Sequence, residues 1–384
     1  MSPAVDDVLR NAVETGAVPN VVAVAADRDG IRYQGAAGPR AVGSPEEVAV
    51  DSVLWIASMT KMVTTVAALQ LRERGKLDFD APVAEYLSEW DKMQVLEGFA
   101  GDTPRLRQPT RRATVGELAT HTAGQTYWFW NADMVRYEEL TGHPNVISGT
   151  TAALFLPLVV DPGTKFEYGT NTDWLGRVVE EVAGQRLDTY FAEHITGPLG
   201  MVDTVFGVDE ERRERKVALH FPAEGGGWVA SDMELPADPD YWSGGHGLYS
   251  TAQDYLRFAR MLLGGGVFSG SRILAEDTVA EAFTNRIGGL EVPERVSAAS
   301  PAHSCDFVYG PDRKWGWGLL LNTKDEPGRR RAGSGAWAGL ANTHFWIDPT
   351  SGITGAIFSQ YLPFATPGYV QMYADFEKAI YDLV

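Results

Sequence analysis

The placing of β-prone segments at both ends of the chain restricts its fold more than any other feature. Residues 20–30, NVVAVAADRDG, and 31–38, IRYQGAAG, are β-rich runs joined by the turn residues Asp29-Gly30. Near the other end, WGWGLLLN (315–322), ANTHFWIDP (341–349) and GITGAIFSQ (352–360) are short, apolar and β-prone, with the turn DPTSG between the last two. The chain closes with PGYVQMYADFEKAIYDLV, in which Tyr369, Val370, Met372, Tyr373, Phe376 and Ile380 fall on one helical face. A helix of that kind packs on a sheet. With helical patterns filling the middle of the chain, the two ends are predicted to share one sheet.

The opening PAVDDVLRNAVETG has helical spacing that Gly16 ends. VLWIAS (53–58) is strand-like and leads into a long amphipathic helix through Arg74, with Gly75 as its stop. Residues 78–112 are rich in Pro, Gly, Asp and Arg, and 97–112, EGFAGDTPRLRQPTRR, read as the least regular part, a loop bordering a pocket. Short helical patterns follow at 114–124, 151–160, 171–184 and 187–195. Residues 202–243 read as loops and short strands. A helix returns at STAQDYLRFARMLLGGG (250–266), with Ser250 or Thr251 as N-cap and Gly264 as stop, and another near AEDTVAEAF.

At 384 residues the chain can bury a large core, and 44% apolar with 22% charged residues excludes disorder by composition. The formal charge of −18, without a basic stripe, argues against nucleic acid and anionic membranes as partners. Cys305 is the only cysteine, so neither an intrachain disulfide nor a thiolate metal cluster can form. The N-terminus has early acidic residues and no apolar signal core, and no run of about 18 apolar residues occurs. The chain is expected to be mature from Met1 and cytoplasmic.

Within that frame, Ser58-Met59-Thr60-Lys61 stands where a strand-like run meets a helix. A hydroxyl at a helix start sits in the positive end of the dipole, and a lysine one turn on shares its face, so Lys61 can reach Ser58. The spacing alone is weak, with about 0.35 chance matches expected in a chain of this composition. Serine is also a favoured N-cap, and the segment by itself leaves both readings open. Tyr168 follows a Pro-Gly turn and precedes a helix starting near Asn171, where it either points into a cleft or packs half-buried. In GSGAWAGLANTHFWIDP the small residues around Trp337 allow close backbone approach to a ligand, or form a mere bulge.

Taken in that order, Ser-x-x-Lys, tyrosine and small-residue strand resemble the serine β-lactamase and penicillin-binding protein superfamily, specifically the family VIII esterases, which are similar to class C β-lactamases. LATHTAG (118–124), GGHGLYSTAQDYLRFARMLL (244–263) and FWIDPTSG (345–352) look like the same group, and the likeness spans nearly the whole chain. It implies an α/β fold: an antiparallel sheet flanked by N- and C-terminal helices, formed by residues 1–80 and 205–384, plus a mostly helical subdomain, 81–204, with the active site in the cleft between them. It also implies Ser58 as the acylated nucleophile, Lys61 as its hydrogen-bonded cation and Tyr168 as general base. The backbone N–H groups of Ser58 and Leu340 would form the oxyanion hole, each worth about 3 to 4 kcal/mol. No cofactor and no metal is implied.

Two departures from the resemblance direct the substrate reading. Thr170 stands where class C β-lactamases have asparagine, with Asn171 one position late. Trp337-Ala338-Gly339 replaces Lys-Thr-Gly, so the cation expected to bind a β-lactam carboxylate is an indole. An apolar pocket for an uncharged ester follows, with Tyr127 in TYWFWN and Trp242 and His246 in DYWSGGHG as further lining residues. Losing that cation makes a tyrosinate at Tyr168 harder to reach, and leaves Lys61 to share or supply the base role. The expected activity is hydrolysis of carboxylic esters of short acyl chains or small alcohols, on a small-molecule substrate. The alternatives are a β-lactamase or D-amino-acid amidase, an acyltransferase using the same site, and a catalytically silent binding protein. No Gly-x-Ser-x-Gly pentapeptide supports an α/β-hydrolase, and the seven histidines form no metal-spaced pair.

Overall fold

The computed structural model describes residues 3–383. Seven strands form one sheet: β1 (Val21–Asp27), β2 (Ile31–Ala37), β3 (Arg313–Trp315), β4 (Leu320–Asn322), β5 (Gly335–Gly339), β6 (Thr343–Asp348) and β7 (Ile353–Phe358). Their spatial order is β3-β4-β5-β6-β7-β1-β2, and every neighbouring pair is antiparallel. The N-terminal hairpin therefore completes a sheet begun by the C-terminal strands, as expected from the chain ends. The β1–β2 turn closes where Asp27 accepts from the Asp29 and Gly30 N–H groups, both at 2.9 Å.

Strand alternation separates two apolar faces. Register aligns Trp337 with Phe345, Phe345 with Ala356 and Ala356 with Val24 on the inner face. Helix Ala252–Leu263 covers that face, with Tyr255 5.2 Å from Phe345 between ring centres. Its N-cap is Thr251, whose hydroxyl accepts from the Asp254 N–H at 3.1 Å, and Gly264 ends it. The outer face carries Ala336, Trp346 and Ala25 under helices Pro3–Glu14 and Pro367–Tyr381. Trp346 lies against Gly355, where a Cβ would come within 2.3 Å of the indole, so glycine is required there. Phe376 packs on Trp346 and Tyr33 at 5.8 and 6.0 Å, and truncating so buried an aromatic costs about 3 to 5 kcal/mol. Val370 departs from the expected face. It is 44% exposed, and Glu377 takes the buried place, held by arginines from the strand-connecting loop.

The middle of the chain is mostly helical, with one exception to the expectation. Residues 97–112 are not simply a loop: Val95–Ala100 and Thr103–Arg107 pair as an antiparallel hairpin, turned at Gly101 with φ 61°. Only Val95 and Leu96 of it are buried, so its largely exposed, charged sequence shows no strand alternation. The triple glycine 225–227 likewise turns a hairpin, Leu219–Pro222 with Trp228–Ser231. Helix Thr60–Glu73 is buried along most of its length and packs against helix Asn171–Ala183. Trp174 anchors the second of these between Trp90 and Phe155, both edge-on at 5.0 and 5.3 Å. Among the described residues no helix is long and apolar enough to cross a membrane.

Candidate active site

Ser58 lies in a 3-10 turn, Ala57–Met59, between the two-residue strand Leu54–Trp55 and helix Thr60–Glu73. Ala57 just before it has φ 44°, a left-handed conformation costly for a residue with a Cβ, and such strain gathers at functional sites. Ser58 is 8% exposed, whereas Lys61 is enclosed at 1%. The Lys61 Nζ lies 3.2 Å from Ser58 Oγ, 2.9 Å from Tyr127 OH and 2.7 Å from the Gly245 carbonyl oxygen. Burial drives its pKa down and Asp173 pulls it part of the way back, to about 7. The amine is thus in part unprotonated at neutral pH, able to accept a proton from Ser58.

Tyr168 sits above the same group. Lys61 Nζ is 5.0 Å from its ring centre, and Trp337 Nε1 donates to its hydroxyl at 3.0 Å. Burial raises the phenol above its ordinary value of 10, more than hydrogen bonds from Ser58 and Trp337 lower it. Gly169 makes the placement possible: a Cβ there would fall 2.4 Å from Thr126 Cα, so the Tyr168 bend lies directly on the segment carrying Tyr127. Asn171 fastens that bend, donating to the Gln125 and Glu167 carbonyls at 3.3 Å each. Thr170 Oγ1 is buried without a partner. Aromatic rings close the surroundings: Trp130 is 5.5 Å and Trp337 4.7 Å from the Tyr168 ring, and Tyr309 stacks on Trp337 at 5.9 Å.

The strand bearing Trp337-Ala338-Gly339 meets the Ser58 turn at its end. A Cβ on Gly339 would lie 2.3 Å from the Ile56 carbonyl oxygen, so only glycine lets the segments that carry Ser58 and Leu340 come together. That is the approach an oxyanion hole built from both residues needs. Of the pocket residues read from sequence, Trp337, Ala338, Gly339 and Tyr127 are gathered here, and Tyr127 is a direct partner of Lys61 as well as a wall. His246 lies one layer out, its Nδ1 2.7 Å from Ser243 Oγ, and burial lowers its pKa to about 4. Trp242 is placed elsewhere: its indole stacks on Phe206 at 5.3 Å and lies under Arg186, so the aromatic ring marks the Phe206 side of the molecule.

Two groups near the site escaped the sequence reading. His121, with φ 55°, packs its ring 4.6 Å from Tyr168, and burial lowers its pKa well below the ordinary value. Asp173 is wholly buried beside Gly245. An acidic residue in the first turn of a helix reads as ordinary dipole complementation, which masked it. Gly244-Gly245 was the available signal, since paired glycines mark close backbone approach. Among the described residues no group of three His, Cys, Asp or Glu side chains could hold a metal ion.

Comparison with known proteins identifies the family and the fold. The beta-lactamase family pattern matches residues 5–379. Monacolin J acid methylbutanoyltransferase of Aspergillus terreus (strain NIH 2624 / FGSC A1156) is 31% identical, covering 97% of this chain and 94% of its own. Lovastatin esterase of Penicillium rubens (strain ATCC 28089 / DSM 1075 / NRRL 1951 / Wisconsin 54-1255) is also 31% identical, over 91% and 90%. The unliganded selenomethionyl structure of simvastatin synthase (LovD) from Aspergillus terreus superimposes with TM-score 0.85 at 28% identity, covering 99% and 98%. The architecture is the β-lactamase and penicillin-binding protein fold.

Proposed function

This chain belongs to the beta-lactamase family, and we propose that within it the protein is a cytoplasmic serine carboxylesterase of the family VIII kind, acting on uncharged esters of short acyl chains or small alcohols. The observation that carries the chemistry is the contact of Ser58 Oγ with the buried Lys61 Nζ at 3.2 Å. Lys61, as free amine, takes the Ser58 proton while Oγ attacks the ester carbonyl. The oxyanion is received by the N–H groups of Ser58 and Leu340. The carbon–oxygen bond to the alcohol breaks, the alkoxide takes a proton from the neutral Tyr168 phenol, and the Lys61 ammonium restores it. Water then attacks the acyl-enzyme, giving its proton to Lys61, and Ser58 recovers its own. The base role expected of Tyr168 passes to Lys61 in this scheme, because burial disfavours the charged tyrosinate and favours the neutral amine.

The ester preference rests on Trp337. Its Nε1 supplies Tyr168 with a neutral donor in the place where the resemblance expects a cation, and offers a carboxylate substrate nothing to pair with. A second reading, transfer of the acyl group to an alcohol, is favoured by the aromatic rings around Tyr168, which exclude water from the acyl-enzyme, and by one relative being named a transferase and another an esterase. The cleft between residues 1–80 with 205–384 and residues 81–204 is the route for substrate.

Treatment with a fluorophosphonate, read by intact mass and peptide mapping, should place one adduct on the Ser58 peptide. Ser58→Ala should lose both the adduct and p-nitrophenyl butyrate hydrolysis. Labelling elsewhere, or retained turnover, overturns the nucleophile. Adding butanol to the wild type and measuring butyl butyrate against butyrate separates transfer from hydrolysis.

A further inference from the structure

Asp173 is a buried carboxylate that the scheme above does not use. Its Oδ1 accepts from the Gly245 N–H at 3.1 Å and from the Ser243 hydroxyl, while Oδ2 is buried without a partner. Oδ2 lies against Gly245, where a Cβ would be 2.3 Å away. Among the described residues Asp173 has no ion pair with an arginine or lysine; its one such neighbour is His246 Nδ1 at 3.7 Å. That imidazole is neutral near pH 7, since its pKa is lowered to about 4, so it supplies no countercharge. On the far side of Gly245, the carbonyl oxygen accepts from Lys61 Nζ at 2.7 Å. One residue thus joins the unpaired carboxylate to the enclosed amine.

Resting on the reading of Lys61 as base, we propose that Asp173 is a positioning residue for Lys61: it holds the Gly245 carbonyl to which Lys61 donates, and faces the ammonium with the only buried negative charge in that cluster, so that it sets how readily Lys61 releases its proton. The Ser58 and Tyr127 hydroxyls and the Tyr168 ring face the same amine, and His121 and His246 lie nearby as neutral imidazoles. None of these carries a negative charge that would hold the proton on Lys61. Asp173 alone raises its pKa against burial. Gly244 and Gly245 let the loop pass this close, since a Cβ on Gly244 would meet the Thr172 carbonyl at 2.9 Å.

The sign is definite. Esterase activity through a neutral Lys61 should fall on the acid side with a midpoint of about 7. Asp173→Asn keeps both hydrogen bonds and removes the charge, so the acid limb of kcat/KM for p-nitrophenyl acetate should move down by about 1 pH unit or more, a tenfold change in proton affinity. Ser243→Ala removes one of the two hydrogen bonds to the carboxylate, together with the Ser243 contacts to His246, and keeps the charge, and its limb should stay within about 0.3 unit of wild type. Gly245→Ala pushes the carboxylate away without removing it and should move the limb in the same direction as Asp173→Asn, which keeps the test available should that variant not fold. Titration of Lys61 by NMR on 13C-labelled lysine reads the same shift without any substrate. An unmoved Lys61 titration in both Asp173→Asn and Gly245→Ala overturns the proposal. A shifted titration with an unshifted activity limb keeps it and overturns instead the role of Lys61 as base.

Discussion

Two buried charge clusters lie on opposite sides of the sheet, and they behave in opposite ways. On the outer face Arg330 forks onto Glu377, with Nε and a terminal nitrogen each 2.8 Å from an oxygen, and Arg329 adds a third contact at 2.6 Å. Burial acts against both charges, yet pairing wins: Arg330 is held well above its ordinary pKa and Glu377 below its own. On the inner side Lys61 is as deeply buried, but its three partners are two hydroxyls and a carbonyl, and its carboxylate is one residue away. There burial wins, and the amine comes down to about 7. Direct pairing makes a buried cation inert; withholding the pair makes it a base.

Exchanging the two clusters' roles should break that contrast most sharply. Lys61→Met is expected to lower kcat/KM on p-nitrophenyl butyrate by at least about 10³-fold while thermal unfolding stays near wild type, because removing a poorly paired buried charge relieves desolvation. Glu377→Gln is expected to cost about 3 to 5 kcal/mol of stability, read by urea unfolding, and to leave kcat per folded molecule unchanged, because Arg330 loses its partner far from Ser58. A loss of fold in the first or of turnover in the second would end the distinction.

Tyr168→Phe tests the intermediate layer, where a neutral phenol touches both clusters of function, Ser58 and Trp337. It should lose about 10² to 10⁴ in kcat with normal folding, the range of one acid–base group. Near wild-type turnover would return the whole proton path to Lys61, and a collapse in stability would make the tyrosine a packing residue. The smallest effect concerns Trp337. Wild-type kcat/KM for p-nitrophenyl butyrate should exceed that for nitrocefin by about 10², and Trp337→Lys should narrow the ratio about tenfold. Nitrocefin as the better wild-type substrate would reverse the ester assignment.

Chain patterns of short range made much of this legible. Alternation and turn residues placed β1, β2, β6 and β7, and helical spacing placed the helices after Ser58 and after Thr251, because each depends on neighbours within a turn or a strand. Ser58 and Lys61 were readable for the same reason, being one helical turn apart. Tyr168 and Trp337 became readable through the resemblance to a family, not through spacing. The charged hairpin at residues 95–107 was hidden because only the adjacent Val95 and Leu96 are buried, which leaves no alternation to read, and the Val370 and Glu377 exchange was hidden because periodicity cannot see arginines arriving from residues 329 and 330.

What packing alone supplied is the chemistry of Lys61. Tyr127 and Gly245, two of its three partners, stand 66 and 184 positions away along the chain, and no local signal couples residues at such separations. Asp173 drew no notice in the sequence, where a carboxylate in the first turn of a helix is ordinary, and only its enclosure beside Gly245 sets it apart. A lysine in water holds its proton to about pH 10 whatever its neighbours in sequence. Here the same side chain releases it near 7, because the folded chain strips it of water and brings no carboxylate into direct contact with it, Asp173 lying beyond Gly245.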